Sequence, residues 1–171
     1  MLIFDAETDG LYRDVSTIHC LVIYDTEEKV TIRHNDVGCG EPISRAVTML
    51  EEADCIVGHN IISYDIPVIK KLYPFFNPRG EIIDTLVLSR LYHPNMMRID
   101  KNHQWPHMPS QLHGRHSLES YGYRLGEYKG SFSKHTDWKE WSQEMEDYCV
   151  QDVIVTTKLC DHFQPYLNGS R

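Results

Sequence analysis

The sequence predicts an α/β domain with a mixed sheet flanked by helices. Three observations carry that expectation. Strand-like runs come first and then alternate with helix-like ones, an order that layers helices on a sheet. The chain has 171 residues, enough for one core, with no repeat or linker to mark a second domain. Its longest periodic stretch, 138–163, closes the chain as one long helix or two joined ones.

Taken in order, "MLIF" (1–4) reads as a short buried strand. "STIHCLVIYD" (16–25) and "KVTIR" (29–33), parted by a polar "TEE", read as an antiparallel meander. "EPISRAVTMLEEAD" (41–54) has helical spacing, with Ile43, Val47 and Leu50 on one face and Pro42 suited to a first turn. "CIVGHN" (55–60) is a second buried strand, and "YDIPVIKKLY" (64–73) an amphipathic helix. "EIIDTLVLSRLYH" (81–93) runs from strand to helix with Asp84 as N-cap. Residues 94–116, rich in Pro, His and Met, lack a period and are expected as a long loop. "SLESYGYRL" (117–125) is a helix capped by Ser117, and "QPYLNGSR" reads as an unordered terminus. The domain is placed at 1–165 and a tail at 166–171.

Composition narrows the function. Hydrophobic residues make 41% and charged ones 25%, as in soluble globular proteins. No apolar run is long enough for a bilayer, so no membrane is expected, and the N-terminus lacks signal-peptide character, so Met1–Asp5 reads as mature structure. Five scattered cysteines without a C-x-x-C suggest free thiols in a reducing compartment. A net charge of −8 argues against non-specific binding to a polyanion. Clustered carboxylates holding divalent cations would reverse that locally.

Three acidic signals stand out. In "MLIFDAETDG", Asp5 and Glu7 are two apart on an extended segment, so both point to one face. A hard cation would relieve their repulsion; the plainer reading is a strand end capping the "TDG" turn. In "GHNIISYD", Asn60 ends a strand and Asp65 opens a helix, either as a ligand site at a strand's carboxyl end or as an acid favoured by the helix dipole. In "DYCVQD", Tyr148 and Asp152 share a helical face one turn apart, with Asp147 aside. That face is exposed acidic surface, unless the apolar "VIVTTKL" beyond it makes the helix buried and Asp152 in need of a partner.

The joint order is D-x-E on a first strand, N-x4-D at a strand–helix junction and Y-x3-D on a late helix. In this order the sequence resembles the 3′→5′ proofreading exonuclease domain of family A DNA polymerases. It is similar to the class with four acids and a tyrosine, most of all in short-tailed phage replicative polymerases. "HCLVIYD", "IDTLVLSRLYH", "SLESYGYRLGEYKG" and "MEDYCVQDV" carry the likeness, which spans most of 1–163.

The resemblance implies a ribonuclease-H-like (DnaQ-like) fold and hydrolysis of the terminal phosphodiester of single-stranded or frayed DNA, releasing nucleoside 5′-monophosphates. It implies Asp5, Glu7, Asp65 and Asp152 as ligands of two Mg²⁺ ions, with Mn²⁺ able to substitute. Asp5 would bridge the ions, Glu7 and Asp152 complete one site, and Asp65 hold the other. Tyr148 stands where a sister class has histidine. A phenol with a pKa near 10 is a poor base, so Tyr148 is expected to orient the attacking water. By the same likeness Thr8, Leu11 and Asn60 meet the substrate, although Leu11 also reads as a core leucine. A DNA polymerase domain or subunit is the implied partner, and a bacterial host's cytoplasm the implied location.

Other signals are weaker. His103, His107, His113 and His116 have spacings that suggest zinc, but Pro and Gly interrupt the run and no cysteine is near. A mobile loop with His113, Arg115 and Lys129 donating to phosphates is the preferred reading. Two competing functions remain: a ribonuclease D-like RNA trimmer, and a non-catalytic DNA-holding or docking module.

Overall fold

The computed structural model describes residues 1–38, 40–103, 105–127 and 137–169. Among them a five-stranded sheet runs in the order β3-β2-β1-β4-β5. The strands are β1 (Leu2–Thr8), β2 (Ile18–Asp25), β3 (Val30–His34), β4 (Cys55–Gly58) and β5 (Glu81–Asp84). The first three form the antiparallel meander, and β4 and β5 add in parallel beside β1. The mixed sheet expected from sequence is therefore present, with β1 at its centre.

β1 runs further than "MLIF". Its ladder with β2 extends from Leu2↔Asp25 to Thr8↔Ile18 and carries both acids within the strand. Its side chains alternate between two cores. Leu2, Phe4 and Ala6 pack with α1 (Ile43–Glu52) and α2 (Asp65–Leu72) through Ile43, Leu50, Val68 and Ile69. Ile3 packs on the other side with Met145, Cys149 and Val153 of α6 (Gln143–Leu167). A third core joins Met96 and Tyr121 to Val155, Leu159 and Phe163 of α6.

β4 stops at Gly58, short of Asn60. Its ladder to β5 ends at Gly58↔Asp84, and Asn60 turns to a φ of 68°. Gly58 is required here: a Cβ would lie 2.2 Å from Ile61 Cγ2 and 3.0 Å from the Phe4 carbonyl oxygen. Asp84 caps α3 (Thr85–Tyr92) as expected, accepting from Leu86 N. Ser117 likewise caps α5 (Leu118–Arg124).

The expected loop at 94–116 contains α4 (Met96–His103) and a single 3₁₀ turn, Ser110–Leu112. A polar centre organises it, which an apolar periodicity cannot reveal. Buried Asp100 accepts from Arg124, Trp105 Nε1 and Gly114 N. The histidines there do not converge. His103 stacks on Trp105, His116 pairs with Ser89, and His113 ends the 3₁₀ turn. Among the described residues they form no metal-binding group. Arg115 is exposed and bonds to the Gln111 carbonyl, and Lys129 lies outside the described residues.

The final helix starts later than expected, at Gln143, with Ser142 accepting from Met145 N. It also lasts longer. Gln164–Leu167, read as unordered terminus, continue it, with Phe163 and Tyr166 packed in the third core. Cys20, Cys55, Cys149 and Cys160 are free thiols; Cys39 lies outside the described residues. No described helix is long and apolar enough to cross a membrane.

Candidate active site

Alternation along β1 puts Asp5 and Glu7 on the face of Ile3, toward α6. The register shifts between Glu7 and Thr8, an irregularity that ends the regular ladder and re-aims the chain beside the acids. Ligand atoms of Asp5, Glu7 and Cys149 lie within 4.8 Å of one another. The Cys149 thiol donates to the Asp5 backbone oxygen at 3.3 Å and to Oδ2 at 3.5 Å. Burial pushes that thiol well up, with Cys20 and Asp5 adding to the shift, so it stays protonated and serves as a donor.

Asp65 enters from the opposite layer. It opens α2 and is 5% exposed. Burial raises its pKa well above the ordinary carboxyl range, and the nearby charge of Asp5 raises it further. Asp5 and Glu7 thus lie side by side with the charge of Asp65 felt at Asp5, and with Cys149 protonated the available ligands are carboxylate oxygens. That donor chemistry fits a hard divalent cation such as Mg²⁺, whose charge offsets the repulsion.

α6 supplies the remaining residues. Cys149 touches Asp5, and Asp152 follows three residues later, buried on the same side of the helix. Tyr148 is half-buried, with its ring edge-on to Trp138 at 6.5 Å between centroids. The two readings of this helix are thereby separated: Asp152 is buried, whereas Asp147 is exposed and pairs with Arg33 at 2.6 Å.

The three residues expected to meet substrate differ in exposure. Thr8 is buried and its hydroxyl donates to the Gly10 carbonyl. Leu11 is 78% exposed, which removes the core-leucine reading. Asn60 sits in the turn before α2, its N–H held by Asp84 Oδ1 at 2.8 Å. Asp84 does more than cap a helix: its Oδ2 also takes Ile62 N at 3.0 Å. That role, and the contact of Cys149 with Asp5, left no signal in the sequence. A capping Asp looks the same whether it holds one N–H or three.

Residues 1–168 match the 3′-5′ exonuclease family of family A DNA polymerases. The chain belongs to that family. It is 37% identical over 185 residues to the DNA-directed DNA polymerase of Escherichia phage T7, and 35% identical over 183 residues to that of Enterobacteria phage T3. Each alignment covers 94% of this chain but 26% of the polymerase, so the chain spans about a quarter of the length of these relatives. Solved nucleases share the fold at lower identity. Brucella melitensis NrnC with bound Mg²⁺ superposes with a TM-score of 0.65 at 17% identity, over 99% of this chain and 74% of that one. Escherichia coli exonuclease I in complex with a dT13 oligonucleotide gives 0.61 at 16%, over 99% and 42%. The fold is thus the ribonuclease-H-like exonuclease fold, and the chain is a 3′-5′ exonuclease domain by family.

Proposed function

We propose that this exonuclease removes nucleotides from single-stranded or frayed DNA 3′ ends, releasing nucleoside 5′-monophosphates, and that it proofreads for a DNA polymerase domain or subunit. The pairing of Asp5 with Glu7 on one face of β1, with the buried carboxyl of Asp65 within reach of the Asp5 charge, supports this most directly. Together with Asp152 these carboxylates hold two Mg²⁺ ions, and Mn²⁺ replaces them because it accepts the same oxygen ligands. Bound ions of this kind acidify a water and neutralise charge building at phosphorus and on the leaving oxygen.

The chain's own groups do the positioning. Asp5 and Glu7 are fixed by the antiparallel ladder to β2, opposite Val22 and Cys20, which keeps their spacing from changing with substrate. Tyr148 aligns the attacking water by hydrogen bonding and leaves proton removal to other groups. Thr8 and Asn60 meet the terminal nucleotide. Leu11 offers an apolar surface to unstacked bases, which paired ends expose less readily. With a net charge of −8, affinity of the chain alone for DNA is low and salt-sensitive, and a polymerase delivers the primer end. The setting is the cytoplasm of a bacterial host.

The test is digestion of a 5′-labelled single-stranded DNA oligonucleotide with Mg²⁺ or EDTA, beside a matched RNA. A metal-dependent ladder from the 3′ end, lost in Asp5→Ala/Glu7→Ala, is expected. Preferential shortening of RNA, or no ladder with Mg²⁺ or Mn²⁺, overturns the DNA reading.

A further inference from the structure

Lys71, in the last turn of α2, directs its ammonium at the loop that follows β1. Nζ donates to the carbonyl oxygens of Tyr12 at 2.9 Å, Arg13 at 3.0 Å and Val15 at 3.0 Å. An ammonium has three protons, and here each has a backbone acceptor. The same nitrogen lies 5.5 Å from the centroid of the Tyr12 ring. The described residues give Lys71 no carboxylate partner. A cation used this way shapes a loop rather than balancing a charge.

The other end of α2 grips the same loop. The Tyr64 hydroxyl donates to the Gly10 carbonyl at 2.6 Å and contacts the Thr8 hydroxyl. Asp9 closes the loop's base on the N–H groups of Ser16 and Thr17, and Val15 is buried beneath it. The tip is apolar and faces solvent: Leu11 is 78% exposed and Tyr12 49%. α2 therefore carries Asp65 at its first residue and a clamp on this tip at both ends.

We propose that Lys71 is a positioning residue that holds the Leu11–Tyr12 edge at a fixed offset from Asp65, so that the last bases of a DNA 3′ end dock on an ordered apolar platform. The inference rests on the DNA reading above. An unclamped tip must be ordered each time an end binds, and that ordering weakens affinity.

Two measurements test it, neither needing cleavage. The first is anisotropy of a labelled dT oligonucleotide with a free 3′ end, in Ca²⁺, for the wild type, Lys71→Met, Leu11→Ala and the double variant. Lys71→Met is expected to weaken binding by about five- to tenfold, as for one or two side chains newly ordered on binding. The double variant should be no weaker than Leu11→Ala, because both changes remove one platform. Lys71→Arg should recover part of the loss. The second is tryptic cleavage after Arg13, expected to be faster in Lys71→Met at unchanged global stability. Unaltered cleavage overturns the clamp. Multiplicative binding losses, equal affinity of Lys71→Met and wild type, or no binding by wild type overturn its role in docking. A wild type that binds the oligonucleotide in Ca²⁺ yet never cleaves in Mg²⁺ refutes the nuclease reading alone.

Discussion

Arg124 holds Asp100 through two parallel hydrogen bonds, Nε to Oδ1 at 2.9 Å and Nη2 to Oδ2 at 2.7 Å, with side chains 5% and 0% exposed. The pair ties α4 to α5, and Gly114 N and Trp105 Nε1 complete the carboxylate's shell. Burial would raise the Asp100 pKa, but these bonds, led by Arg124, hold it below the ordinary value. Removing one partner strands the other charge. Asp100→Ala or Arg124→Ala should lose about 3–5 kcal/mol, measured by urea denaturation. A loss below 1 kcal/mol would mean the segment 94–124 is held by its apolar contacts alone.

Asp84 fixes the turn ahead of Asp65 through Asn60 N and Ile62 N. Asp84→Ala should release that turn and let the start of α2 shift. A misplacement of about 1 Å costs on the order of 10²-fold in rate. The expected result is a fall in kcat of that order on single-stranded DNA with the fold intact by circular dichroism. Wild-type kcat would show that β4 and α2 hold Asp65 without it.

Tyr148 and Asp5 should differ in what their loss costs. Tyr148→Phe removes one oriented hydrogen bond and should slow turnover by about 10–10³-fold at saturating Mg²⁺. Asp5→Ala removes a proposed ligand and should abolish turnover to the assay limit. Equal inactivity of the two variants would give the phenol a larger part than orientation.

His34 links stability to pH. It is buried, with Nδ1 3.1 Å from the Leu21 carbonyl and Nε2 buried without a hydrogen-bond partner among the described residues. Burial lowers its pKa below 6.5, and the Leu21 bond offsets this in part. The folded state then takes up fewer protons than the unfolded one between the two pKa values. Its contribution to stability is full above about pH 6.5 and declines as pH falls through that window. Urea denaturation between pH 5 and 8 should show this slope, and His34→Leu should reduce it. His116, lowered mainly by burial, adds a slope of the same sign that persists.

The sheet and the shared face of Asp5 and Glu7 were legible in sequence for a shared reason. Strand alternation and helical spacing are local, so Asp5 with Glu7, and Tyr148 with Asp152, could be placed on common faces before any packing was known. Asp84 and Ser117 were legible as caps because capping is local too. The order within 94–116 was not. Its organiser, Asp100, draws on Trp105, Gly114 and Arg124, spread over 24 positions with no period. The grip of Lys71 on Val15, across 56 positions, left no trace in either pattern.

β1 alternates hydrophobic core and carboxylate: Phe4 is fully buried, Asp5 faces α6, Ala6 is buried, and Glu7 faces α6 again. The strand that seals the interior is thus also the one that bears the acids. If the domain proofreads, a small packing lesion at Phe4 or Ala6 shifts the carboxylates before it unfolds the chain. Its first sign is a raised mutation rate in the copied genome, steepening with temperature, while protein abundance remains normal. Mutator alleles should accordingly map to greasy interior positions as well as to the acidic ones.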